Sequence, residues 1–279
     1  AAVKHDLAIY AAHTNLDNLA EGVNQMICQK LGLTHTSILS PAKGLLYKLV
    51  TFVPSDHADR LRKVIFEAGA GHIGNYDCCS FNVDGQGTFR GNESSTPYVG
   101  RKGDLHTEKE TRIETIVPSF LIDRTIASMI AAHPYEEVAY DVYPLENVHG
   151  KIGSGMLGEL PKALSHTEFL ELLRDTFHIP VIRYSGKERK EYRRIAVCGG
   201  AGSFLTEKAV KAKADAFLSS DIRYHQFFEA QERLLICDIG HYESEQFTKE
   251  IFYSLLTKKF STFAVHLSSI VTNPIKYFA

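Results

Sequence analysis

Apolar positions along the chain fall into short continuous runs and into stretches with helical spacing. Leu7 to Ala12 is a short apolar run, followed by the polar His13-Thr14-Asn15-Leu16-Asp17. Leu19, Val23, Met26, Ile27 and Leu31 then recur every three or four residues, and Gly32 is placed to close the helix they define. The first forty residues therefore predict strand, loop and helix.

From about Leu45 to Leu145 the pattern repeats itself. Val53-Pro54-Ser55 returns as Val117-Pro118-Ser119, Asp59-Arg60 as Asp123-Arg124, and Tyr76-Asp77 as Tyr140-Asp141, all at one offset of 64 residues. In each copy an apolar strand (Leu49 to Val53; Ile113 to Val117) runs into Pro-Ser, where the serine is placed to cap a helix. Helical spacing follows, with Leu61, Val64, Ile65 and Ala68 in the first copy and Ile122, Ile126, Met129 and Ile130 in the second. Each copy is expected to finish in a strand, around Tyr76 to Val83 and Val138 to Tyr143. Two βαβ units in tandem predict a ferredoxin-like module over residues 46–149, with the polar, glycine-rich Asp84 to Asp104 as hairpin and loop.

After the glycine-rich connector Gly150 to Gly158, strands and helices alternate. Ser165-His166-Thr167-Glu168 is a capping box, with Leu164 and Phe169 placed as a hydrophobic staple. Three βα units are then expected. They are Ile195 to Cys198 before a helix at Phe204 to Lys211, Ala216 to Leu218 before Asp221 to Ala230, and Leu234 to Cys237 before Glu243 to Leu256. A last strand is expected at Thr262 to Leu267. Apolar strands alternating with helices imply a buried sheet with helices over it. The fold class is thus α/β: a discontinuous layered core of residues 1–45 and 150–279, carrying an α+β insert.

Composition narrows the class of function. Hydrophobic residues make up 44% and charged ones 23%, which excludes a disordered chain. Lysine and arginine total 31 against 33 acids, a net charge of −2, so no global field recruits nucleic acid or membrane. No apolar run approaches the roughly 18 residues of a spanning helix. Five scattered cysteines without a CxxC pair argue against a disulfide framework or a thiolate zinc site, and for a cytoplasmic protein.

In open α/β sheets, ligands bind beyond the C-terminal ends of the strands, and the polar residues gather there. His241 and Glu245, four apart at the start of a helix, share one face and suit a divalent cation; a surface His-Glu hydrogen bond explains them too. Asp17 is a third candidate ligand, or a helix cap. Gly199-Gly200-Ala201-Gly202-Ser203 either cradles a phosphate on backbone amides or makes a tight turn. His225 is a candidate general base or a structural histidine. Cys78-Cys79, in a predicted strand, reads as packing rather than redox chemistry. His133-Pro134-Tyr135-Glu136-Glu137 is either a small-ligand or interface loop, or a well-bonded turn.

AAHTNLDNLAEGVN (Ala11 to Asn24), SSDIRYHQFFEA (Ser219 to Ala230), DIGHYESE (Asp238 to Glu245) and the closing TNPIKYF resemble the Nif-three-like family, many of whose members carry the name GTP cyclohydrolase 1 type 2 homolog. The insert, with AAHPYEEVAYDVYPL (Ala131 to Leu145), is similar to the PII-like or CutA-like domain of the longer bacterial members. The resemblance implies a toroidal homohexamer holding two divalent metals per subunit. Of the implied ligands, the aspartate of HTNLD and the histidine and glutamate of GH…E fall on Asp17, His241 and Glu245. The family's adjacent pair of histidines has no counterpart here, because no His-His pair occurs in the chain. That absence leads us to expect an N-terminally incomplete chain.

Two functions follow as expectations. One is a dinuclear metal-dependent hydrolase of a small, nucleotide-like substrate, with opening of a guanine ring as the reaction the family name implies and His225 as proton shuttle. The other is a non-catalytic metal-binding regulatory protein whose insert senses a small ligand. Nitrogen and oxygen ligands without thiolate suit zinc, manganese or iron.

Overall fold

A computed structural model describes residues 1–186 and 188–278, in two compact units: Ala1–Pro41 with the chain from Gly150 onward, and Ala42–His149. The first segment forms α1 (Thr14–Asp17), α2 (Val23–Lys30) and β1 (Thr34–Pro41). The second unit holds β2 (Leu46–Pro54), α3 (Ala58–Glu67), β3 (Ser80–Phe89), β4 (His106–Pro118), α4 (Ile122–Ala132) and β5 (Tyr140–Pro144). The chain then continues through β6 (Gly153–Leu164), α5 (His166–Phe177), β7 (Arg183–Ser185), β8 (Tyr192–Ala201), α6 (Thr206–Lys211), β9 (Ala216–Ser220), β10 (Leu235–Asp238), α7 (His241–Glu245) and α8 (Thr248–Lys259). Among the described residues no helix is long and apolar enough to cross a membrane.

The core sheet has the order β1-β6-β8-β9-β10-β7. Its centre, β8-β9-β10, is parallel, and the flanking pairs are antiparallel. The middle residues of the parallel strands are apolar because both faces are covered. Ile195, Val197, Leu218 and Cys237 point into one cluster, shared with Val23 and Ile27 of α2 and Phe169, Leu173 and Phe177 of α5. Their neighbours Ala196, Cys198, Phe217 and Ile236 point the other way, against Leu205 and Ala209. This is period-two alternation with no polar face.

Local signals fixed several ends. Ser165 accepts from the Glu168 amide and the Glu168 carboxylate accepts from the Ser165 amide, the expected capping box. Gly32 takes φ +67° directly after α2, where the Leu33 amide reaches back to the Cys28 carbonyl, an end that favours glycine.

The second unit is an antiparallel sheet in the order β3-β4-β2-β5, with α3 and α4 packing on it through Leu61, Ile65 and Met129. That strand order and βαββαβ sequence are ferredoxin-like. The repeat is visible in space. β2 and β4 lie side by side, with Thr51 opposite Ile113, and each runs through proline into a short 3-10 turn and then a helix.

Several expectations need correction. Ser55 and Ser119 open 3-10 turns without capping; the Ser55 hydroxyl instead lies 3.0 Å from that of Thr111. Tyr76 makes only an isolated bridge with Ile73, and the strand begins at Ser80. Cys78 and Cys79 therefore precede it, and Cys78 is exposed at φ +52°. β3 extends to Phe89, into the glycine-rich stretch, and β4 begins at His106, well before the expected Ile113. Leu7 to Ala12 and Thr262 to Leu267 join no sheet. An apolar run becomes a strand only where another strand completes its hydrogen bonds, and Leu7, Ile9 and Phe263 stay exposed. The helix expected at Asp221 to Ala230 is a 3-10 turn (Tyr224–Phe228), since Asp221 is left-handed and Arg223 extended. The last helix is broken in two at Gln246-Phe247.

Two predictions test this fold. Burial pushes the Cys28 thiol up to about 12, and Cys198 and Cys237 are also raised by burial first, so at pH 8 iodoacetamide should modify Cys78 quickly and these three scarcely at all, as read by peptide mass spectrometry. His133 is buried; its Nδ1 accepts from the Tyr135 amide, so Nε2 carries the proton and donates to the Phe52 carbonyl. Burial, opposed by that carbonyl bond and aided by His57, lowers its pKa. The unfolded chain then binds more protons at this residue, so its contribution to stability is lost as pH falls below about 6.5. Urea unfolding at pH 7.5 and pH 5.5, roughly one unit either side of that value, should show a smaller acid loss in His133→Gln than in the parent chain.

Candidate functional site

Three elements end at one edge of the core sheet. β8, β9 and β10 are parallel neighbours, so Gly199-Gly200 in the last residues of β8 lie beside Asp221 and His241, which follow β9 and β10. Gly240, at φ +84°, turns the chain from β10 into α7 and places His241 as the first residue of that helix. α1 brings Asp17 to the same place. Asp17, His241 and Glu245 line one cavity of ≈ 180 Å³, together with His13 and Cys198. A larger one, ≈ 570 Å³, also opens on His241 and Glu245 and is walled by Ile270, Asn273 and Pro274 of the chain's last segment.

His241 sits between two carboxylates. Its Nδ1 is 2.6 Å from Asp221 Oδ2, and its Nε2 is 3.5 Å from Glu245 Oε1. Because a carboxylate can only accept, Nδ1 carries a proton and Nε2 is the atom turned towards Glu245 and the cavity. The Asp221 bond raises the imidazole pKa, against burial, with Glu245 and Asp17 adding to the rise. Burial raises Asp17 and Glu245, partly offset by His13 and His241. Burial and the nearby Asp17 and Glu245 carboxylates push the Cys198 thiol up to about 12, so it stays protonated and is a poor cation ligand at neutral pH.

Gly200 makes room for this group. Its φ is +66°, and a Cβ there would lie 2.5 Å from Glu245 Oε1. The glycine-rich run does not cradle a phosphate, because its amides are already engaged: Gly199 with Asn24 Oδ1, Gly200 with Ser244 Oγ and Gly202 with Ser219 Oγ. Nor is it a loop: β8 continues through it as an irregularity against β9.

The structure thus gathers the sequence candidates Asp17, His241 and Glu245 around one space. It does not bring His225 there: that residue is exposed on the 3-10 turn against Tyr224, and it lines neither cavity. Among the described residues, no three His, Cys, Asp or Glu side chains come together as a ready-made metal-ligand set. Asp221 was visible at a strand end, but its role as partner of His241 was not. Only the pairing of β9 with β10 brings residues 20 apart together.

Comparison with known proteins covers nearly the whole chain. The family model Duf34/NIF3 (NGG1p interacting factor 3) matches residues 1–274. A protein of Halalkalibacterium halodurans named GTP cyclohydrolase 1 type 2 homolog is 41% identical over 281 residues, spanning 99% of this chain and 76% of its own length. One of the same name from Bacillus subtilis is 36% identical, over 99% of this chain and 75% of its own length. Among solved structures, a Bacillus cereus protein related to NIF3 superposes with a TM-score of 0.83 at 38% identity, over 99% of this chain and 75% of that one. With its fold, its strand-end residues and these matches in agreement, the chain belongs to the Duf34/NIF3 family.

Proposed function

We propose that this chain binds a divalent cation at His241 and Glu245, with Asp17 across the cavity, and hydrolyses a small nucleotide-like substrate there. The observation that carries this reading is the Asp221–His241–Glu245 arrangement, 2.6 Å and 3.5 Å between partners, at the C-terminal edge of the sheet. Two donors on one cation at about 2.1 Å stand roughly 3.4 Å apart in tetrahedral geometry, close to the separation here. A carboxylate on the far nitrogen of a ligating histidine fixes its tautomer and direction, which is the part Asp221 plays. Half-buried carboxylates with raised pKa and no lysine or arginine among the cavity's lining residues make a donor set that favours a cation.

A bound divalent cation would supply Lewis acidity, polarising the scissile group and easing the ionisation of water. The protein's own residues do the rest. Asp221 holds His241 in one orientation, Gly200 leaves Glu245 the space it occupies, and the larger adjoining cavity offers room for a substrate. By the relatives' name the substrate class is a guanine nucleotide. Assembly into a ring of identical subunits belongs to the same proposal. The rival reading is a metal-binding protein without catalysis, using the same residues.

Metal analysis decides the first step. After loading with zinc or manganese and desalting, the chain should retain metal, and His241→Ala and Glu245→Ala should each weaken retention about tenfold or more. Asp221→Asn should weaken it by roughly 10–100-fold. Unchanged retention in all three variants would remove the site. With metal bound, GTP and other nucleotides are then assayed chromatographically; turnover lost in Glu245→Ala supports the hydrolase, and no turnover of any nucleotide supports the rival. Separately, Gly200→Ala should lower stability by about 1–2 kcal/mol for its left-handed backbone alone, with the contact to Glu245 adding to that, as read by thermal unfolding.

A further inference from the structure

The second unit contains a cavity of ≈ 340 Å³ that the reading above does not use. It lies where β3, β4, the loop between them and the His133–Glu137 turn meet, and beside small and polar loop residues its walls carry two distinctive kinds of side chain. Three are aromatic. Tyr135 stands 5.8 Å from Phe89 at 61° and 6.2 Å from Tyr98 at 48°, centre to centre. Rings set at such angles form the sides of a cage rather than a stack. The other walls are carboxylates: Glu110, Glu136 and Glu137.

Glu110 is the telling one. It is only 8% exposed, and its Oε1 accepts from the Tyr135 hydroxyl at 2.9 Å. Burial and the carboxylates of Glu110, Glu108 and Asp56 hold that phenol well above its ordinary pKa, so it remains a donor. A Cβ at Gly87 would strike Glu110 Oε2, so the strand opposite leaves room for the carboxylate by having no side chain. Glu136 accepts from the Thr96 amide and helps hold the loop. Among the described residues none of the three carboxylates forms an ion pair; the ion pairs of the same sheet belong to Glu108 and Glu114. Arg90 is the one basic residue at the rim, and it is exposed. A buried carboxylate is costly without a compensating positive charge.

We propose that this cavity is a binding site for a small alkylated ammonium compound, with the cation's head between the Phe89, Tyr98 and Tyr135 rings and its charge facing Glu110. Aromatic faces attract weakly hydrated organic cations, which have few hydrogen bonds to lose. A bare metal ion would need several oxygen ligands converging on one point, and among the described residues these carboxylates form no such set; an anion would face three carboxylates. The volume suits a small molecule. His133, which donates to Phe52 and accepts from the Tyr135 amide, sets the turn that carries the central ring.

Calorimetric titration of this chain with choline tests the site, using the neutral isostere 3,3-dimethylbutan-1-ol, magnesium and inorganic phosphate as comparisons at one ionic strength. Choline should bind once per chain with a dissociation constant below about 1 mM, and the neutral isostere about tenfold more weakly or worse. Glu110→Gln should weaken choline about tenfold and Tyr98→Leu severalfold, while Tyr135→Phe, which keeps the ring, should lose less than Tyr135→Leu. Circular dichroism checks each variant; should Glu110→Gln fail to fold, the exposed Tyr98→Leu and the charge comparison decide. The proposal is overturned if choline shows no saturable binding up to about 10 mM, if the isostere binds equally well, or if magnesium or phosphate saturates the site in place of choline.

Discussion

Where β8 reaches the edge of the core sheet, its backbone departs from regular pairing and leaves buried amides that must find partners. Buried amides without acceptors are too costly to persist. Side chains from three other elements supply them: Asn24 of α2 to Gly199, Ser244 of α7 to Gly200, and Ser219 of β9 to Gly202. All three side chains are almost wholly buried. Each also bonds elsewhere: Asn24 donates to the Asp17 carbonyl, Ser244 to the His241 carbonyl, and Ser219 to the Gly200 carbonyl. The irregular end of one strand therefore ties down the backbone beside every residue of the candidate site.

This accounts for the glycines as well. Gly200 needs a left-handed backbone to expose its amide to Ser244, and the missing side chain is what Glu245 occupies. A side chain at Gly199 would crowd Val23 and Ile27, so the same pair of glycines lets α2 approach β8 on the apolar side. Packing and site geometry are thus one problem with one local solution, and the residues that look like a phosphate loop in the sequence instead leave room for Glu245.

The two units meet polar burial in different ways. In the core, Asp238 is compensated inside the protein, by Arg183 and by the Ile222 and Gly240 amides. Asp17 and Glu245 have only histidines nearby, and burial raises both. In the ferredoxin-like unit, Glu110 has a phenol and no base. Asp17, Glu245 and Glu110, which form no ion pair with lysine or arginine among the described residues, line cavities.

How much of this was legible beforehand follows from the range of the forces involved. Periodicity, the Ser165–Glu168 box and Gly32 are properties of neighbouring residues, and the repeat at offset 64 is a comparison of two local patterns; together they located α2, α5 and the paired strand-turn-helix halves. That His241 and Glu245 lie at the C-terminal edge of the sheet was also anticipated, since residues after parallel strands share an edge; Asp17 joins them from α1, because the run expected to precede it as a strand is not one. Leu7 to Ala12 and Thr262 to Leu267 looked equally strand-like and are not strands, because a ladder depends on a partner that no local pattern specifies. Asp221 shows the same limit most plainly. By itself the sequence determined that Asp221 and His241 each follow a short apolar run; only the pairing of Ser219 with Asp238 in adjacent parallel strands set a carboxylate 2.6 Å from that imidazole and so chose which nitrogen faces the cavity.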